Sequence, residues 1–351
     1  MLSTVYAAVA RRRRRYYATH PHLQRALSRP VISIGNLAVG GRAKTPLAAL
    51  VATRLRDLGE RPAILSRGYA RGDAADGVVV VSDPRGIRAD LDRAGDEPLM
   101  LARQLEGVAV LASSSRYLAG RLAEHHFGCT VHVLDDGFQH FSLRRDADIV
   151  VVDREDIDQP VTLPAGRLRE PIDAAAWADA VMALDDANVE SVAAMRPFES
   201  LRAAPSHVEG RQAQGGAGRP VWRARRRQGP AWLAEPMGAP IVPSSGPVLA
   251  VAGIARPASF FRDLRAAGWT IARELPYRDH HPYSRRDVAT IFDAARASGA
   301  GVVVTTEKDL VRLLPFRPFP LPVACVPLTV EIDPAPTFDA WLATILEEAR
   351  R

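Results

Sequence analysis

Short apolar runs recur along the chain from residue 31, and turn residues bound each of them. Between the first two runs, Leu47, Leu50, Val51 and Leu55 recur at the spacing of one helix face. Strands that alternate with helices predict an α/β fold with a mainly parallel sheet and helices on both faces. The predicted strands are 31–34, 63–66, 78–81, 108–112, 131–134 and 149–152.

The alternation of strand and helix patterns stops at residues 208–245, which are rich in Gly, Pro, Arg and Gln. This composition predicts a linker or insertion, to which we assign residues 206–245. A second, smaller α/β pattern follows, with apolar runs at 248–251 and 302–304, a helix at 259–267 and a last helix at 338–349. A chain of 351 residues is also longer than a single core usually serves. The predicted domains are therefore an N-terminal helix at 1–30, a core at 31–205 and a smaller α/β domain at 246–351.

The net charge of +6 belongs to one short segment. Residues 1–30 hold seven arginines and no acid, so the rest of the chain carries about −1. Arg11 to Arg15 follow an apolar run at 2–10, whereas a signal peptide places its positive charges first, and the run is too short to span a bilayer. The pattern predicts an amphipathic helix on an anionic membrane surface, with a solvated basic arm or a nucleic-acid contact as the alternative.

Composition bears on the chemistry in two further ways. Only Cys129 and Cys325 are present, far apart, which argues against a disulfide framework or a zinc site and fits a reducing cytoplasm. Of the 46 basic residues only Lys44 and Lys308 are lysines. Because a compact ammonium differs in shape and hydration from a guanidinium, these two positions are candidates for a site that needs a point charge.

Lys44 lies where an apolar strand runs through a glycine-rich turn into a helix, which is the context of a phosphate-binding loop. In such a loop Lys44 would reach phosphate oxygens and the Thr45 hydroxyl would hold magnesium. The pattern Gly-x-x-x-x-Gly-Lys-Ser/Thr would place glycine where Ala38 and Ala43 stand. An ordinary strand-to-helix turn is the alternative.

Four other segments are candidates for chemistry. Asp135 and Asp136 end the apolar strand at 131–134, where a magnesium-holding acid belongs, although a plain Asp-Asp-Gly turn has the same sequence. Residues 95–98 place two acids before a helix and could be helix caps, and residues 279–282 place Asp beside two histidines, a base with its orienter or a structural pair. The turn-rich segment 163–171 offers two arginines to an anionic substrate.

Taken in order, these segments resemble the tetraacyldisaccharide 4'-kinase family. The resemblance runs from residue 31 to 309, and its most specific strings are Leu-Asp-Asp-Gly-Phe-Gln-His at 134–140 and Thr-Thr-Glu-Lys-Asp at 305–309. It implies a P-loop NTPase-like core that transfers the γ-phosphate of ATP, with Mg²⁺, to the 4'-hydroxyl of a lipid A disaccharide 1-phosphate precursor, giving lipid IVA. It also implies a monomeric, peripheral enzyme on the cytoplasmic face of the inner membrane, with no nucleic-acid partner.

The resemblance carries roles to individual positions. Asp96 and His280 would form the pair that accepts the proton. Thr45, Asp135 and Asp136 would bind magnesium, and Lys44 would also be catalytic. The resemblance assigns ATP to the loop formed by Ala38, Val39, Gly40, Gly41, Arg42, Ala43, Lys44 and Thr45. It assigns substrate contacts to Asn36, Arg67, His140, Arg167 and Arg169.

Two departures keep other functions open. The family loop has glycine where this chain has Ala43, and the segment 208–245 is unusual. The alternatives are another P-loop small-molecule kinase, ligase or GTPase, and a degenerate homologue that binds nucleotide and membrane without turnover.

Overall fold

The computed structural model describes residues 1–40, 43–68, 77–188, 190–191, 219–234 and 237–351. Its helices are Leu2–Thr19 (α1), Lys44–Asp57 (α2), Leu91–Ala94 (α3), Asp96–Gln104 (α4), Arg116–Phe127 (α5), Arg154–Asp158 (α6), Pro257–Ala266 (α7), Arg285–Ala297 (α8), Glu307–Leu313 (α9) and Ala335–Ala349 (α10). Its strands are Val31–Asn36 (β1), Pro62–Ser66 (β2), Val79–Asp83 (β3), Gly86–Ile87 (β4), Ala109–Ala112 (β5), Val131–Asp135 (β6), Ala147–Val152 (β7), Ala180–Leu184 (β8), Val221–Gln228 (β9), Trp232–Ala234 (β10), Met237–Pro240 (β11), Val248–Ala252 (β12), Ile271–Pro276 (β13), Val302–Thr306 (β14), Val323–Val326 (β15) and Leu328–Asp333 (β16).

The chain divides into two compact units. The first contains residues 1–94, 101–226 and 330–351, and the second contains residues 95–100 and 227–329. Each has its own sheet and its own buried core.

The first unit is built on a sheet of strand order β16-β9-β8-β7-β1-β6-β2-β5-β3-β4. The pairs that join β7, β1, β6, β2 and β5 are all parallel. Strand β1 is buried at all six positions because β6 and β7 flank it and both faces are covered. The carboxyl ends of β1, β2 and β6 therefore meet at one edge, where parallel α/β sheets bind ligands.

The second unit has a smaller sheet of order β11-β10-β15-β14-β12-β13. Its four strands β13, β12, β14 and β15 are parallel, and β10 and β11 pair antiparallel at one side. One face packs on α8 through Ile291 and Phe292, and the other packs on α7 through Phe260, Phe261 and Leu264.

The predicted fold class is confirmed, and every strand predicted from the apolar runs forms at its place within two or three residues. Strands β4, β8, β13, β15 and β16 were missed. The segment 206–245 also contains β9, β10 and β11 in its described parts, 219–234 and 237–245. In β9 only Trp222 and Ala224 are buried. The strand also contains four arginines, so its sequence does not show the alternation of apolar and polar residues that predicts a strand.

The sequence-based boundaries differ from the two units at both ends of the smaller domain. Residues 95–100 join the second unit, and residues 330–351 join the first. Helix α10 belongs to the first unit because Phe338 and Trp341 pack on Trp222, with ring centroids 5.2 and 5.4 Å from its ring.

The predicted N-terminal helix is present as α1, but it ends at Thr19 and does not extend to residue 30. Among the described residues, no helix has the length and apolar content needed to cross a bilayer. Along α1, Leu2, Val5, Val9 and Tyr16 are exposed, whereas Ala7 and Arg14 are buried.

Candidate active site

In the described part of the turn between β1 and α2, two residues have left-handed backbone. Gly40 has a φ of +96° and Ala43 a φ of +55°. Helix α2 then begins at Lys44, so the N–H groups of its first turn lie at the end of the loop, where an anion is stabilised. Gly41 and Arg42, which the resemblance also assigns to ATP, lie outside the described residues.

The start of this loop is fixed by the segment that carries Arg167. The Val39 N–H donates to the Arg167 carbonyl at 2.9 Å, and Ala38 is fully buried in a bridge with Leu168. The Arg167 guanidinium pairs with Glu155 and lies 3.4 Å from the Val39 carbonyl. Arg167 therefore contacts the start of the loop through both its backbone and its side chain.

Ala43 occupies a backbone region that costs a non-glycine residue about 1–2 kcal/mol. Glycine removes that strain but adds entropy to the unfolded chain, which offsets about 0.4–1 kcal/mol. We expect Ala43→Gly to raise the free energy of unfolding by about 0.5 kcal/mol and to leave kcat equal or higher, as denaturant unfolding and steady-state kinetics will measure. A large fall in kcat would show that the alanine is an adaptation.

Lys44 is held at the centre of a polar cluster. Its ammonium donates to Asn36 Oδ1 at 3.1 Å and to the Gly40 carbonyl at 3.3 Å, and it lies 3.7 Å from Asp136 Oδ1. Asn36 ends the central strand β1, so the strand itself fixes the position of this charge.

Asp136 is paired with Arg169 by two hydrogen bonds of 3.0 and 2.8 Å. Burial would raise the pKa of Asp136, but the charges of Lys44 and Arg169 outweigh it and lower that pKa to about 2. Arg169 also donates to Asn36 Oδ1 at 2.6 Å. Asn36, Lys44, Asp136 and Arg169 therefore form one connected cluster.

Thr45 and Asp135 form the oxygen pair beside this cluster. The Thr45 hydroxyl donates toward both carboxylate oxygens of Asp135 at 3.4 Å. Hydroxyl and carboxylate oxygens fit Mg²⁺, which is usually held by one or two protein groups together with phosphates and water. Within the described ranges, no group of three or more His, Cys, Asp or Glu is placed to hold a metal by itself.

Positive charge collects around His140 and Arg116. Arg116 is buried at the start of α5, and burial together with the charge of Arg67 lowers its pKa to about 10. Burial and then the charges of four arginines, Arg116 first, lower the pKa of His140 to about 4. His140 is therefore neutral near pH 7, and this region favours an anion.

The His140 shift makes stability depend on pH. Between the ordinary histidine pKa near 6.5 and the folded value of about 4, the unfolded chain binds a proton that the folded chain does not. Stability therefore falls as the pH falls through this window. We expect His140→Gln to reduce the loss of unfolding free energy between pH 7 and pH 5 by about 1–2 kcal/mol. The exposed His126→Gln serves as control, and equal pH slopes for both variants would contradict the assignment.

The second unit contains the other predicted pair, Asp96 and His280. His280 Nδ1 lies 2.9 Å from Asp96 Oδ2, and the same carboxylate oxygen accepts from Arg312 Nε at 2.7 Å. Lys308 Nζ lies 3.2 Å from His280 Nε2 and donates to Glu97 at 2.9 Å. The two neighbouring acids at 96 and 97 thus bind a histidine and a lysine that are themselves in contact.

These contacts assign the histidine tautomer. An ammonium can only donate, so Lys308 places its hydrogen bond on His280 Nε2, and Nδ1–H then donates to Asp96. Burial would raise the pKa of Asp96, but the hydrogen bonds from His280 and Arg312 hold it below its usual value. His280 also has a left-handed φ of +56°, a strain that concentrates at functional positions.

The string at 305–309 contains a fully buried carboxylate, Asp309. Asp309 accepts from Gly253 N–H at 3.0 Å, Tyr283 OH at 3.0 Å and Thr306 Oγ1 at 2.7 Å. It also accepts from Arg312, which carries these contacts on to Asp96. A Cβ on Gly253 would lie 2.8 Å from the Asp309 carboxylate, so a larger residue here would displace that carboxylate.

Sequence reasoning did not single out Arg116 or Arg312, and it gave no role to Asp309 within the string at 305–309. Lys308 was singled out by its rarity but received no role. Arginine is so common in this chain that no composition signal marks Arg116 or Arg312, and only their burial distinguishes them.

Comparison with known proteins gives a consistent result. The family model for tetraacyldisaccharide-1-P 4'-kinase matches residues 1–347. Tetraacyldisaccharide 4'-kinase of Geobacter metallireducens is 37% identical over 90% of this chain and 88% of its own length. The enzyme of the same name from Anaeromyxobacter dehalogenans is 41% identical over 82% of this chain and 73% of its own.

A solved structure agrees with these relatives. LpxK from Aquifex aeolicus, crystallised as an "apo" form in complex with ATP, superposes with a TM-score of 0.76 at 27% identity, over 98% of this chain and 97% of that one. Because the family model covers nearly the whole chain and the relatives match across both units, this protein belongs to the tetraacyldisaccharide-1-P 4'-kinase family.

Proposed function

We propose that this protein transfers the γ-phosphate of ATP to the 4'-hydroxyl of a tetraacyldisaccharide 1-phosphate, giving lipid IVA. One observation carries the proposal. The two strings most specific to the family build the two clusters, since residues 134–140 supply Asp135, Asp136 and His140, and residues 305–309 supply Lys308 and the buried Asp309. The family relation and the chemistry of the side chains therefore agree.

In this proposal the first unit binds the nucleotide. The α2 N-terminus and Lys44 stabilise the phosphate oxygens, and Lys44 opposes the charge that develops during transfer. Magnesium, when bound, neutralises phosphate charge, and the Thr45 hydroxyl and the Asp135 carboxylate are the groups that would hold it. Asp136 is already engaged by Arg169 and Lys44 and acts mainly by fixing both cations.

The substrate contacts are assigned to the remaining cations. Arg67 and Arg116, with neutral His140, offer donors to a phosphate or sugar hydroxyl. In the second unit, the ionised Asp96 with His280 accepts the proton of the attacking hydroxyl, and Lys308 and Arg312 keep the pair in one orientation.

The test is incubation with labelled ATP and a tetraacyl disaccharide 1-phosphate in mixed micelles. Transfer of label to the lipid supports the proposal. Label released only as inorganic phosphate, or moved to a small metabolite, favours another P-loop enzyme. Nucleotide binding with no turnover of any kind favours a degenerate homologue.

We also propose that α1 docks on an anionic membrane surface at the cytoplasmic face of the inner membrane. Its exposed apolar residues lie on the same helix as three exposed arginines, Arg12, Arg13 and Arg15. The two other arginines of the cluster are engaged within the protein, since Arg11 pairs with Asp173 and Arg14 is buried. The three exposed arginines are the ones that we assign to surface binding, and Arg13 also lies over the Phe141 ring, 5.2 Å from its centroid.

Replacing Arg12, Arg13 and Arg15 by Ser should weaken binding to anionic vesicles about 100-fold, because each basic residue near such a surface contributes roughly 1 kcal/mol. Vesicle sedimentation measures this. The control carries the same loss of charge at three exposed arginines elsewhere in the first unit, Arg85, Arg93 and Arg144. Equal effects of the two triple variants would refute a specific role of α1.

A further inference from the structure

Arg14 differs from its neighbours in the basic cluster of α1. Only 6% of it is exposed, whereas Arg12, Arg13 and Arg15 are exposed. Its Nε and Nη2 each donate to one oxygen of Glu170 at 2.7 Å, and its guanidinium lies over the Phe138 ring, 4.0 Å from the centroid. Arg14 is therefore turned into the protein and cannot serve the membrane surface.

The Arg14–Glu170 pair is a costly way to hold a helix. Removing two charges from water costs several kcal/mol for each ion, and well-packed apolar residues of similar volume often give equal or higher stability. What the pair adds is geometry, because two parallel hydrogen bonds fix the angle as well as the distance. The pair joins residues that are 156 positions apart in the chain.

A continuous set of hydrogen bonds leads from this pair to Lys44. Glu170 Oε1 also accepts from Gln139 Nε2 at 3.0 Å, and Gln139 Nε2 donates to the Asn36 carbonyl at 2.9 Å. The side chain of Asn36 in turn accepts from Lys44 at 3.1 Å. Arg14, Glu170, Gln139, Asn36 and Lys44 are thus linked in order.

A second connection runs through the backbone. Glu170 follows Arg169, and the two side chains serve different partners, since Arg169 binds Asn36 and Asp136 while Glu170 binds Arg14. Loss of Arg14 would leave a buried carboxylate short of its partner. That carboxylate would then compete for Gln139 and Arg169, both of which hold Asn36 in place.

We infer that Arg14 is a positioning residue that couples the seating of α1 on the protein to the order of the phosphate site. Docking of this helix and nucleotide affinity are then linked properties. The inference rests on the proposed function only in placing the nucleotide beside Lys44.

The test measures the affinity of the full chain for a magnesium complex of a non-hydrolysable ATP analogue by calorimetry, without lipid. Arg14→Gln is expected to weaken that affinity about tenfold, and Arg12→Gln, which removes the same charge from the exposed face, to change it less than twofold. The double variant Arg14→Gln with Glu170→Gln should recover most of the loss, because no buried charge is left unpaired. Thermal unfolding of each variant accompanies the titrations.

The outcomes separate the two proposals. A wild-type chain that binds no analogue refutes the proposed function. A wild-type chain that binds, with a folded Arg14→Gln variant of unchanged affinity, overturns the coupling and leaves Arg14 a purely structural residue. If Arg14→Gln does not fold, Arg14→Lys is measured in its place, since lysine keeps the charge but lacks the two-nitrogen fork. Unchanged analogue affinity in a folded Arg14→Lys variant would likewise overturn the coupling.

Discussion

Replacing Lys44 by Ala should lower kcat by about 10³-fold or more, because one preorganised cationic donor at the transferring phosphate contributes about 10²–10³ and this lysine also orders its neighbours. Its ammonium binds Asn36 and Gly40 and lies near Asp136, so the variant also releases a carboxylate that Lys44 helps to keep ionised. Steady-state transfer to lipid substrate gives the measurement.

Lys44→Arg provides the matched control for charge. Apart from Lys44 and Lys308, every basic residue among the lysines and arginines of this chain is arginine, so a guanidinium is well tolerated elsewhere. We expect this variant to remain at least about 10²-fold below wild type, because a planar fork cannot replace a compact charge in the space beside Asn36. Near-normal transfer by Lys44→Ala, with the protein folded, would remove this residue from the site.

Asp96→Asn is the change with the second largest expected effect. It keeps the shape of the side chain but removes the charge that accepts from His280 and Arg312, and a fall in kcat of about 10²–10⁴ is expected for loss of a proton acceptor. Analogue affinity should change little, because the nucleotide is assigned to residues of the first unit. A fall in thermal stability is also expected, since Arg312 stays buried with only one of its two carboxylate partners, Asp309.

The neighbouring Asp279→Asn is the control for Asp96. Asp279 Oδ1 lies 3.9 Å from His280 Nε2, and its side chain is 39% exposed, so its loss should cost less than about tenfold in kcat. Similar losses in both variants would mean that His280 responds to nearby negative charge in general. A fully active Asp96→Asn enzyme would exclude the proton-accepting role.

The sequence predicted eight of the strands, and the turn after β1, because their signals are local. Buried parallel strands appear as apolar runs, and Lys44 follows one of them directly. The departure at Ala43 was also visible, since the loop pattern places glycine at this position, and the observed φ of +55° is one that glycine adopts readily. These features depend on residues that are close together in the chain.

What the sequence did not reveal depends on contacts between distant residues. Arg14 was grouped with the membrane-facing arginines, and only its pairing with Glu170, 156 positions away, distinguishes it. Arg312 lies 216 positions from Asp96. Neither pairing leaves a periodic or compositional signal, because burial of a charge is decided by the packing of other elements around it.

The most direct test of the central claim is phosphorus NMR of the lipid recovered after incubation with ATP, Mg²⁺ and a tetraacyl disaccharide 1-phosphate. We expect a second phosphomonoester resonance that correlates with the proton at the 4' carbon, while the 1-phosphate resonance persists. A lipid that keeps only its original phosphate, or gains one at another hydroxyl, would contradict it.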